Sequence, residues 1–420
     1  MQQEKIRLYH WLLFGISFLS TAIAGVASTL MSVYLPVAVK DLLGEKSAGD
    51  LNQISAYINA VFILGGALGG FVAGMIGDRY GRKFAAIFAI ACFGISTLLT
   101  GYMPDWRGVV ICRFFTGFGF GGILVATTTL MVEEWPVSTR AIFIGILSIS
   151  MPIGIFSAGI IDYIVSSWRQ GFLVGLIPIL LATVSVWVIR ESEHWKNQPD
   201  EADKSKARKT GLLLGEYRSN LIKGSLIFGA MLIGLWAIFS WLPTWIQSLL
   251  PGADTQKQRG ISMMLLGLGG LAGGFLSGWL ANAIGLRRSM IWCFAACSGL
   301  SFLLFKTNTV FNPLVYAEIL LLSLFFGASQ GILSVYIPNL FPVAIRATAT
   351  GFCFNIGRIF TALAVLFVGV LVSVLGGYSN SLFIFSLVFI IGLAATLFSK
   401  KEEAAQTEKP GVAPESILID

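Results

Sequence analysis

Apolar residues form long, uninterrupted blocks that are separated by short polar intervals. A transmembrane helix needs roughly 20 such residues, and the blocks do not show the strict apolar/polar alternation of a half-buried strand. They predict twelve transmembrane helices, at 11–39, 52–77, 84–103, 108–132, 141–165, 168–189, 223–249, 261–283, 289–306, 313–338, 347–375 and 379–399. The first block ends without the small-residue cleavage site of a signal peptide and therefore belongs to this set.

Two short motifs occur once in each half of the chain. The sequence Gly-Gly-Phe-Val-Ala-Gly at 69–74 returns as Gly-Gly-Phe-Leu-Ser-Gly at 273–278. Likewise, Trp-Pro-Val-Ser-Thr-Arg-Ala at 135–141 returns as Phe-Pro-Val-Ala-Ile-Arg-Ala at 341–347. Such internal repeats indicate two related halves, and in membrane transporters the pathway lies between the halves.

The longest polar interval, from Glu191 to Tyr217, divides the blocks six and six. It is rich in Lys, Glu, Asp and Ser and is typical of a flexible linker. We therefore predict an all-α membrane protein of two pseudo-symmetric six-helix bundles. Its parts are an N-terminal bundle at 1–190, a cytoplasmic linker at 191–222, a C-terminal bundle at 223–400 and a disordered cytoplasmic tail at 401–420.

Composition and charge agree with a membrane protein. Hydrophobic residues make up 55% of the chain and charged residues 12%, whereas soluble proteins carry about 25% charged residues. Most basic residues fall on one side of the predicted helices, which places both termini in the cytoplasm of a bacterial-type plasma membrane. This bias accounts for the net charge of +7 without a nucleic-acid partner. The few cations predicted in outer loops are Lys40, Lys46, Arg107, Arg169, Lys257, Arg259 and Lys306.

Catalytic and metal-binding patterns are missing from the sequence. The two histidines, His10 and His194, lie at or beyond predicted membrane ends, and there is no nucleophile–histidine pair or phosphate-binding loop. Cys293 and Cys297 share a helix face, but two thiols without a neighbouring histidine make a poor zinc site. We predict neither an enzyme nor a bound metal or other cofactor.

Several motifs resemble those of the major facilitator superfamily over roughly residues 10–400. The signature loop between the second and third helices is present in full as Gly74-x-x-x-Asp78-Arg79-x-Gly81-Arg82-Lys83. Arg113, Gly117 and Gly119 are similar to the helix-4 motif of the superfamily, and Glu134-x-Pro136-x-x-x-Arg140 resembles its sugar-porter and organic-ion branches. Asn355-x-Gly357-Arg358 is similar to its organic-acid and organic-anion members. In the second-half copy of the signature loop, Asn282 stands at the position of Asp78 and Leu286 at that of Arg82, which puts the charge relay there in doubt.

The resemblance implies a cytoplasmic gate. Asp78 is expected to accept hydrogen bonds at the N-terminus of helix 11, whose positive end favours an anion. In the superfamily such a charged cluster holds the cytoplasmic side shut while the cavity opens outward. The predicted cluster here is Asp78, Arg79, Arg82, Lys83, Glu134 and Arg140. The alternative is that these cations merely follow the positive-inside rule, which does not explain Asp78.

Four charged residues fall inside predicted helices, where each costs roughly 3 kcal/mol or more unless it faces partners or water. Arg358, with Asn355 on the same helix face, is predicted to bind the substrate, because a guanidinium fork suits a carboxylate or phosphate. The alternative for Arg358 is a structural ion pair. Glu318, Arg113 and Asp162 are predicted to couple transport to an ion, with Arg113 close to Glu318 and with Asp162 alternatively at the interface.

Further polar and aromatic residues are candidates for substrate contact. The resemblance implies that helices 1, 4, 7 and 10 line the cavity. On these helices we predict Trp236, Gln330, Tyr336 and Tyr34 as substrate-binding residues.

The predicted function is secondary active transport by alternating access. The expected cargo is a small organic anion such as a carboxylate metabolite, carried by a monomer and coupled to protons, since no nucleotide-binding motif is present. Two alternatives remain open at this point: a transporter or facilitator for a sugar or a drug-like solute, and a transporter-like ligand sensor without net flux.

Overall fold

The computed structural model describes residues 6–44, 48–196, 217–252, 254–342 and 345–399. In this part of the chain twelve helices are long and apolar enough to cross a membrane, and no strand occurs. The helices are α1 (Leu8–Leu43), α2 (Ala48–Tyr80), α3 (Arg82–Thr100), α4 (Trp106–Glu134), α5 (Val137–Ile164), α6 (Trp168–Val188), α7 (Arg218–Ser248), α8 (Gln256–Ile284), α9 (Leu286–Thr307), α10 (Leu314–Asn339), α11 (Arg346–Val374) and α12 (Tyr378–Leu397). The predicted all-α fold with twelve membrane-spanning helices is confirmed.

The helix boundaries differ from the prediction mainly at the polar ends. α7 begins at Arg218 rather than at 223, and α8 begins at Gln256 rather than at 261. Polar side chains in the first turns extend each helix beyond its apolar block. A short helix, Glu193–Lys196, follows α6. Residues 197–216 of the predicted linker and the predicted tail at 401–420 lie outside the described residues.

Helix packing repeats between the two halves. α2 and α3 pack on α4 in the first half, as α8 and α9 pack on α10 in the second. α1 packs on α5 as α7 packs on α11, and α3 packs on α6 as α9 packs on α12. The described helices therefore form the two pseudo-symmetric six-helix bundles that the repeated motifs predict.

The bundles meet along α5 with α8 and along α2 with α11, and α1 also contacts α7. We call the side of the molecule that carries the turns at Gly81 and Gly285 the basic face, and the other side the opposite face. Since α5 and α11 run from the basic face to the opposite face and α2 and α8 run back, both helix pairs at the bundle interface are antiparallel.

The bundles touch at the opposite face and are apart at the basic face. A Cβ atom placed on Gly159 of α5 would lie 2.6 Å from the carbonyl oxygen of Gly260 of α8. One placed on Gly369 of α11 would lie 2.5 Å from the carbonyl oxygen of Asn52 of α2. Near the basic face of the same helices, Cβ atoms would meet no atom of another described helix within 4 Å at Gly74, Gly145, Gly278 and Gly351. The described structure is thus open towards the basic face.

Candidate functional site

The α2–α3 turn is built around Gly81. Its φ of 102° is a conformation that L side chains rarely adopt. A Cβ atom there would also lie 2.2 Å from the carboxylate of Glu191. That carboxylate accepts hydrogen bonds from the backbone N–H groups of Arg82 (2.6 Å) and Lys83 (3.2 Å). Glu191 therefore caps the N-terminus of α3, where the helix dipole favours a negative charge.

Arg82 connects two acidic side chains at the basic face. Its guanidinium donates to Asp78 at 2.6 Å and to Glu133 at 3.0 Å. The indole N–H of Trp195 donates to the backbone carbonyl of Asp78 at 2.9 Å. In this conformation the Asp78 side chain is 65% exposed and does not cap α11 as expected. The reason is that α2 and α11 are apart at the basic face.

The other predicted gate residues contact helix ends or solvent rather than one joint cluster. The Lys83 ammonium donates to the carbonyl of Val186 near the end of α6, at 2.6 Å. The Arg140 guanidinium donates to the carbonyl of Trp135, where α4 ends, at 3.0 and 3.1 Å.

Arg79 is exposed and lies over its neighbouring Tyr80 ring. The half-buried Glu134 lies beside Ser192 and Glu193. Glu133 and Glu191, which the sequence did not assign to the gate, make the described contacts with Arg82.

The second half keeps the equivalent contacts at the basic face. Gly285 also has a positive φ, of 84°. The Arg287 guanidinium donates to the carbonyls of Thr396 and Leu397 at the end of α12. The Arg346 guanidinium donates to the carbonyl of Phe341 after α10, at 3.3 Å. The second copy of the signature loop thus lacks the acidic partner but retains the binding of a cation to helix C-termini.

Arg113 is buried between α4 and α1. Only 1% of it is exposed, and its guanidinium donates to the carbonyls of Ala27 at 2.8 Å and Ser28 at 3.4 Å. The guanidinium carbon lies 4.2 Å from the centre of the Phe62 ring. Arg113 takes part in none of the four ion pairs among the described residues, and its Nε atom has no hydrogen-bond partner.

An aromatic cluster bridges the bundles next to Arg113. Trp236 of α7 lies 6.0 Å from Phe62 of α2, 6.4 Å from Phe120 of α4 and 5.1 Å from Phe239, measured between ring centres. Trp236 is half-buried. It therefore offers an apolar surface on the second bundle that faces the Phe62 ring in front of the Arg113 guanidinium.

Arg358 and Asn355 are both half-buried on α11. Arg358 forms no ion pair with any described residue, so the structural ion pair considered for it is not present in this conformation. Its helix is fixed against α7 by the stacked rings of Phe354 and Phe228, whose centres are 4.2 Å apart.

The remaining substrate candidates differ in accessibility. Gln330 is exposed on α10. Tyr336 is 1% exposed, and its hydroxyl shares a hydrogen bond of 2.6 Å with Ser399. Tyr34 is also 1% exposed, and its hydroxyl donates to the carbonyl of Val165 at 2.8 Å. In this conformation both tyrosines are held by internal contacts.

The two membrane-embedded acids have different partners. One Glu318 oxygen accepts a hydrogen bond of 2.6 Å from the side-chain amide of Asn308, and Arg113 is not among its ion-pair partners. The expectation that Arg113 lies close enough to pair with Glu318 is therefore not met, because α4 and α10 belong to different bundles.

Asp162 is 0% exposed and lies 3.6 Å from Arg259 of α8. The outer-loop position predicted for Arg259 is wrong, since α8 begins at Gln256 and includes this residue.

Among the described residues no group of three or more His, Cys, Asp or Glu side chains could hold a metal ion. The candidate residues described above supply guanidinium groups, aromatic rings and amides. Such groups can bind a solute without chemical reaction.

The family profile of the Major Facilitator Superfamily matches residues 17–360 and 255–419. The chain belongs to this superfamily. It is 26% identical to the cis,cis-muconate transport protein of Acinetobacter baylyi, over 96% of this chain and 97% of that protein. It is 24% identical to the niacin transporter NiaP of the same organism, over 84% of this chain and 86% of that one. The D-xylose-proton symporter structure has the same fold, with a TM-score of 0.76 at 17% identity over 93% of this chain and 97% of that one.

Membership confirms the transporter class. The chain is a multi-pass integral membrane protein, a transporter of small molecules and not an enzyme.

Proposed function

We propose that this transporter carries a small organic anion with a carboxylate group and uses a proton gradient to do so. The observation that carries the proposal is the pair of membrane-embedded guanidinium groups, Arg113 and Arg358, without an acidic partner among the described residues. A charge at this depth is unfavourable unless it faces a partner or water. A substrate carboxylate supplies the missing charge, and a guanidinium can bind it through two parallel hydrogen bonds.

Arg358 is the group that we propose to contact the carboxylate, since it is half-buried on α11, a helix that packs against α2 of the other bundle. Asn355, one turn earlier on the same face, adds an amide donor. The Trp236, Phe62 and Phe120 rings offer a flat apolar surface for the rest of the molecule. The named solutes of the two relatives above, muconate and niacin, are carboxylates or carboxylic acids and support this assignment.

The basic face is proposed to be cytoplasmic. Arg79, Arg82, Arg140, Arg287 and Arg346 lie there, as the positive-inside rule requires. The conformation described is then open to the cytoplasm and closed to the outside, and both termini are cytoplasmic. Each chain contains a complete pair of bundles, so we propose that the transporter works as a monomer in a bacterial-type plasma membrane.

The first experiment compares matched ligands by thermal shift on the purified protein. Benzoate and nicotinate are expected to raise the unfolding temperature, while benzamide, nicotinamide and xylose at the same concentrations are not. Stabilisation grows as RT ln(1 + [L]/Kd) for a ligand that binds only the folded state. Stabilisation by the neutral amides or by xylose alone would contradict an anionic cargo. Counterflow of the stabilising ligand in proteoliposomes distinguishes transport from binding without flux.

The second experiment tests Arg358. The Arg358→Lys variant keeps the charge but loses the planar fork, so its affinity for the carboxylate should fall by about tenfold. Arg358→Ala should abolish detectable binding. Arg107→Ala is the matched control, because Arg107 is exposed at the opposite face. Unchanged affinity in Arg358→Ala would exclude contact between this residue and the carboxylate.

A further inference from the structure

One buried ion pair joins the two bundles at the opposite face. The carboxylate of Asp162 on α5 lies 3.6 Å from the guanidinium of Arg259 on α8, and the side chains are 0% and 5% exposed. The other three ion pairs of the described residues lie within the first bundle, between Arg82 and Asp78, Arg82 and Glu133, and Arg169 and Asp41. Among the described ion pairs, Asp162–Arg259 alone is broken when the bundles separate at this face.

The carboxylate of this pair is held by charge alone. Neither oxygen of Asp162 has a hydrogen-bond partner among the described residues. Arg259, in contrast, is fixed through Nη1, which donates to Gln247 and to Thr255, each at 3.0 Å. A buried carboxylate without supporting hydrogen bonds gains little from its attraction to a cation beyond what the loss of its hydration costs. Neutralisation of the Asp162 carboxylate can therefore decide whether the contact between Asp162 and Arg259 persists.

The pair lies beside a close backbone contact between α5 and α8. A Cβ atom on Gly159, less than one turn from Asp162, would lie 2.6 Å from the carbonyl oxygen of Gly260, the residue next to Arg259. Only glycines allow the two backbones to come this close. The charged groups consequently meet only while the helices are in contact.

Solvent reaches the neighbourhood of the pair. A cavity of about 430 Å³ opens at the opposite face and is lined in part by Ser166, Asp254, Gln256 and Lys257. The Gln256 amide that lines this cavity donates to the backbone carbonyl of Asp162 at 2.6 Å. A side chain that lines the cavity therefore contacts the backbone of the residue that carries the buried carboxylate.

We propose that Asp162 and Arg259 form the external latch of this transporter, and that protonation of Asp162 releases it. The proposal deepens the proposed function, since it names the group through which a proton acts on gating. The charged and titratable groups that face Asp162 are Arg259, the Asp254 carboxylate and the Tyr34 hydroxyl. Lys257 is in the lining of the adjacent cavity.

The sign of the pH effect follows from the charges. An ionised Asp162 attracts Arg259 and keeps the opposite face closed, as in the structure described here. A proton taken from external water leaves Asp162 neutral and removes the attraction, so the bundles separate at this face. When this face closes again and the basic face opens, the proton leaves to the cytoplasmic side and the ion pair re-forms, so that one proton crosses the membrane in each cycle. External acid thus favours the outward-open state.

The opening is measured directly with spin labels on Ser166→Cys and Lys257→Cys, two exposed positions beside the cavity on α5–α6 and α8. Cys92, the one native cysteine that is not fully buried, is replaced by serine. The label-to-label distance should lengthen between pH 8 and pH 5. Asp162→Asn should show the longer distance at both pH values. A pH-dependent distance in Asp162→Asn like that of the unmodified residue would overturn the proposal.

Two further variants control for unrelated damage. Asp41→Asn breaks the Asp41–Arg169 pair within the first bundle on the same face, and the pH response should persist. Exchange of the charges in Asp162→Arg with Arg259→Asp should restore the short distance at pH 8. If Asp41→Asn also loses the response, or if the exchanged pair stays open at pH 8, the latch is refuted.

Transport distinguishes the latch from the proposed function. In proteoliposomes, Asp162→Asn should reduce accumulation of a carboxylate driven by a pH gradient at least tenfold, while substrate-for-substrate exchange continues. If the unmodified transporter exchanges no carboxylate at all, the proposed function fails, although the spin-label distances still test the latch. If Glu318→Gln and not Asp162→Asn abolishes pH-driven accumulation, coupling belongs to Glu318 and the latch proposal is wrong.

Discussion

Arg113 and Arg358 were recognisable in the sequence because an arginine inside an apolar block is costly and therefore informative. The groups that surround these two side chains could not be recognised in the sequence. The carbonyls of Ala27 and Ser28 that bind Arg113 are backbone groups of another helix, and no sequence pattern identifies them. The same is true of the Phe62 ring beneath the guanidinium. The residue type predicts the charge, whereas the packing of the helices determines what neutralises it.

Arg259 is a residue whose position was predicted wrongly from the sequence. Its position outside the apolar block led to its assignment to an outer loop, but it is 4% exposed within the first turn of α8. Hydropathy locates the apolar part of a helix and not its polar ends. A polar first turn that is buried against the other bundle has no signature in a single sequence. The residue that pairs with Asp162 was missed for this reason.

At the same scale, Trp236 is expected to select for flat, apolar substrates. Trp236→Leu removes the ring that faces Phe62 and Phe120, so affinity for benzoate should fall by about tenfold, while affinity for a short aliphatic carboxylate should change little. Isothermal titration of both ligands measures the difference. Trp292→Leu is the matched control, because Trp292 is 63% exposed on α9. Equal losses for the two ligands would show that Trp236 acts on stability and not on selectivity.

The elements of the two halves keep their contacts even where the sequence repeat is weak. Lys83 and Arg287 occupy equivalent positions after a positive-φ glycine, and each donates to carbonyls at the end of the last helix in its bundle. Arg140 and Arg346 each donate to the carbonyl five residues earlier, at the end of α4 and α10. The repeated motifs were therefore sufficient to predict the two bundles. The second copy of the signature loop keeps the basic side chain that binds the end of a helix, a contact that stabilises the bundle. It does not keep the acidic partner of the first copy.

The repeated glycines predict a measurable difference between neighbours in α8. A Cβ atom on Gly273 would lie 1.9 Å from the carbonyl oxygen of Leu324 on α10, just as one on Gly69 would lie 1.9 Å from that of Phe118 on α4. Gly273→Ala should therefore force α8 and α10 apart and destabilise the protein by about 1–3 kcal/mol. Gly274→Ala is the control, since no atom lies within 4 Å of that position. Unfolding temperatures in detergent compare the two, and equal values would contradict the close helix contact.

At the scale of the whole molecule, the sequence predicted two bundles and a gate but not which side is open. The expected contact between Asp78 and the start of α11 requires the bundles to meet at the basic face, and in this structure they are apart there. The sequence of a two-bundle fold does not indicate which face is open, so the structure was needed to distinguish the contacts that are formed from those that are not.

The register of α5 against α8 predicts the contact that forms when the basic face closes. Gly267 lies against Phe156 and Gly270 against Pro152 in the present structure. Two helical turns further along each helix, the same antiparallel register places Gly145 opposite Gly278, and both glycines now have open space around them.

Cysteines at Gly145 and Gly278 should therefore form a disulfide only when the basic face closes, because the bond requires Cα atoms within about 7 Å. Oxidation is expected to stop transport, and a reducing agent to restore it. Cysteines at Gly145 and Leu276 are the control, since residues two positions apart point to different faces of a helix. If acid releases the external latch, oxidation should also be faster at pH 5 than at pH 8 in liposomes, after correction for thiol ionisation with a model dithiol. An oxidised Gly145–Gly278 pair that still transports at the normal rate would exclude this register for the closed state.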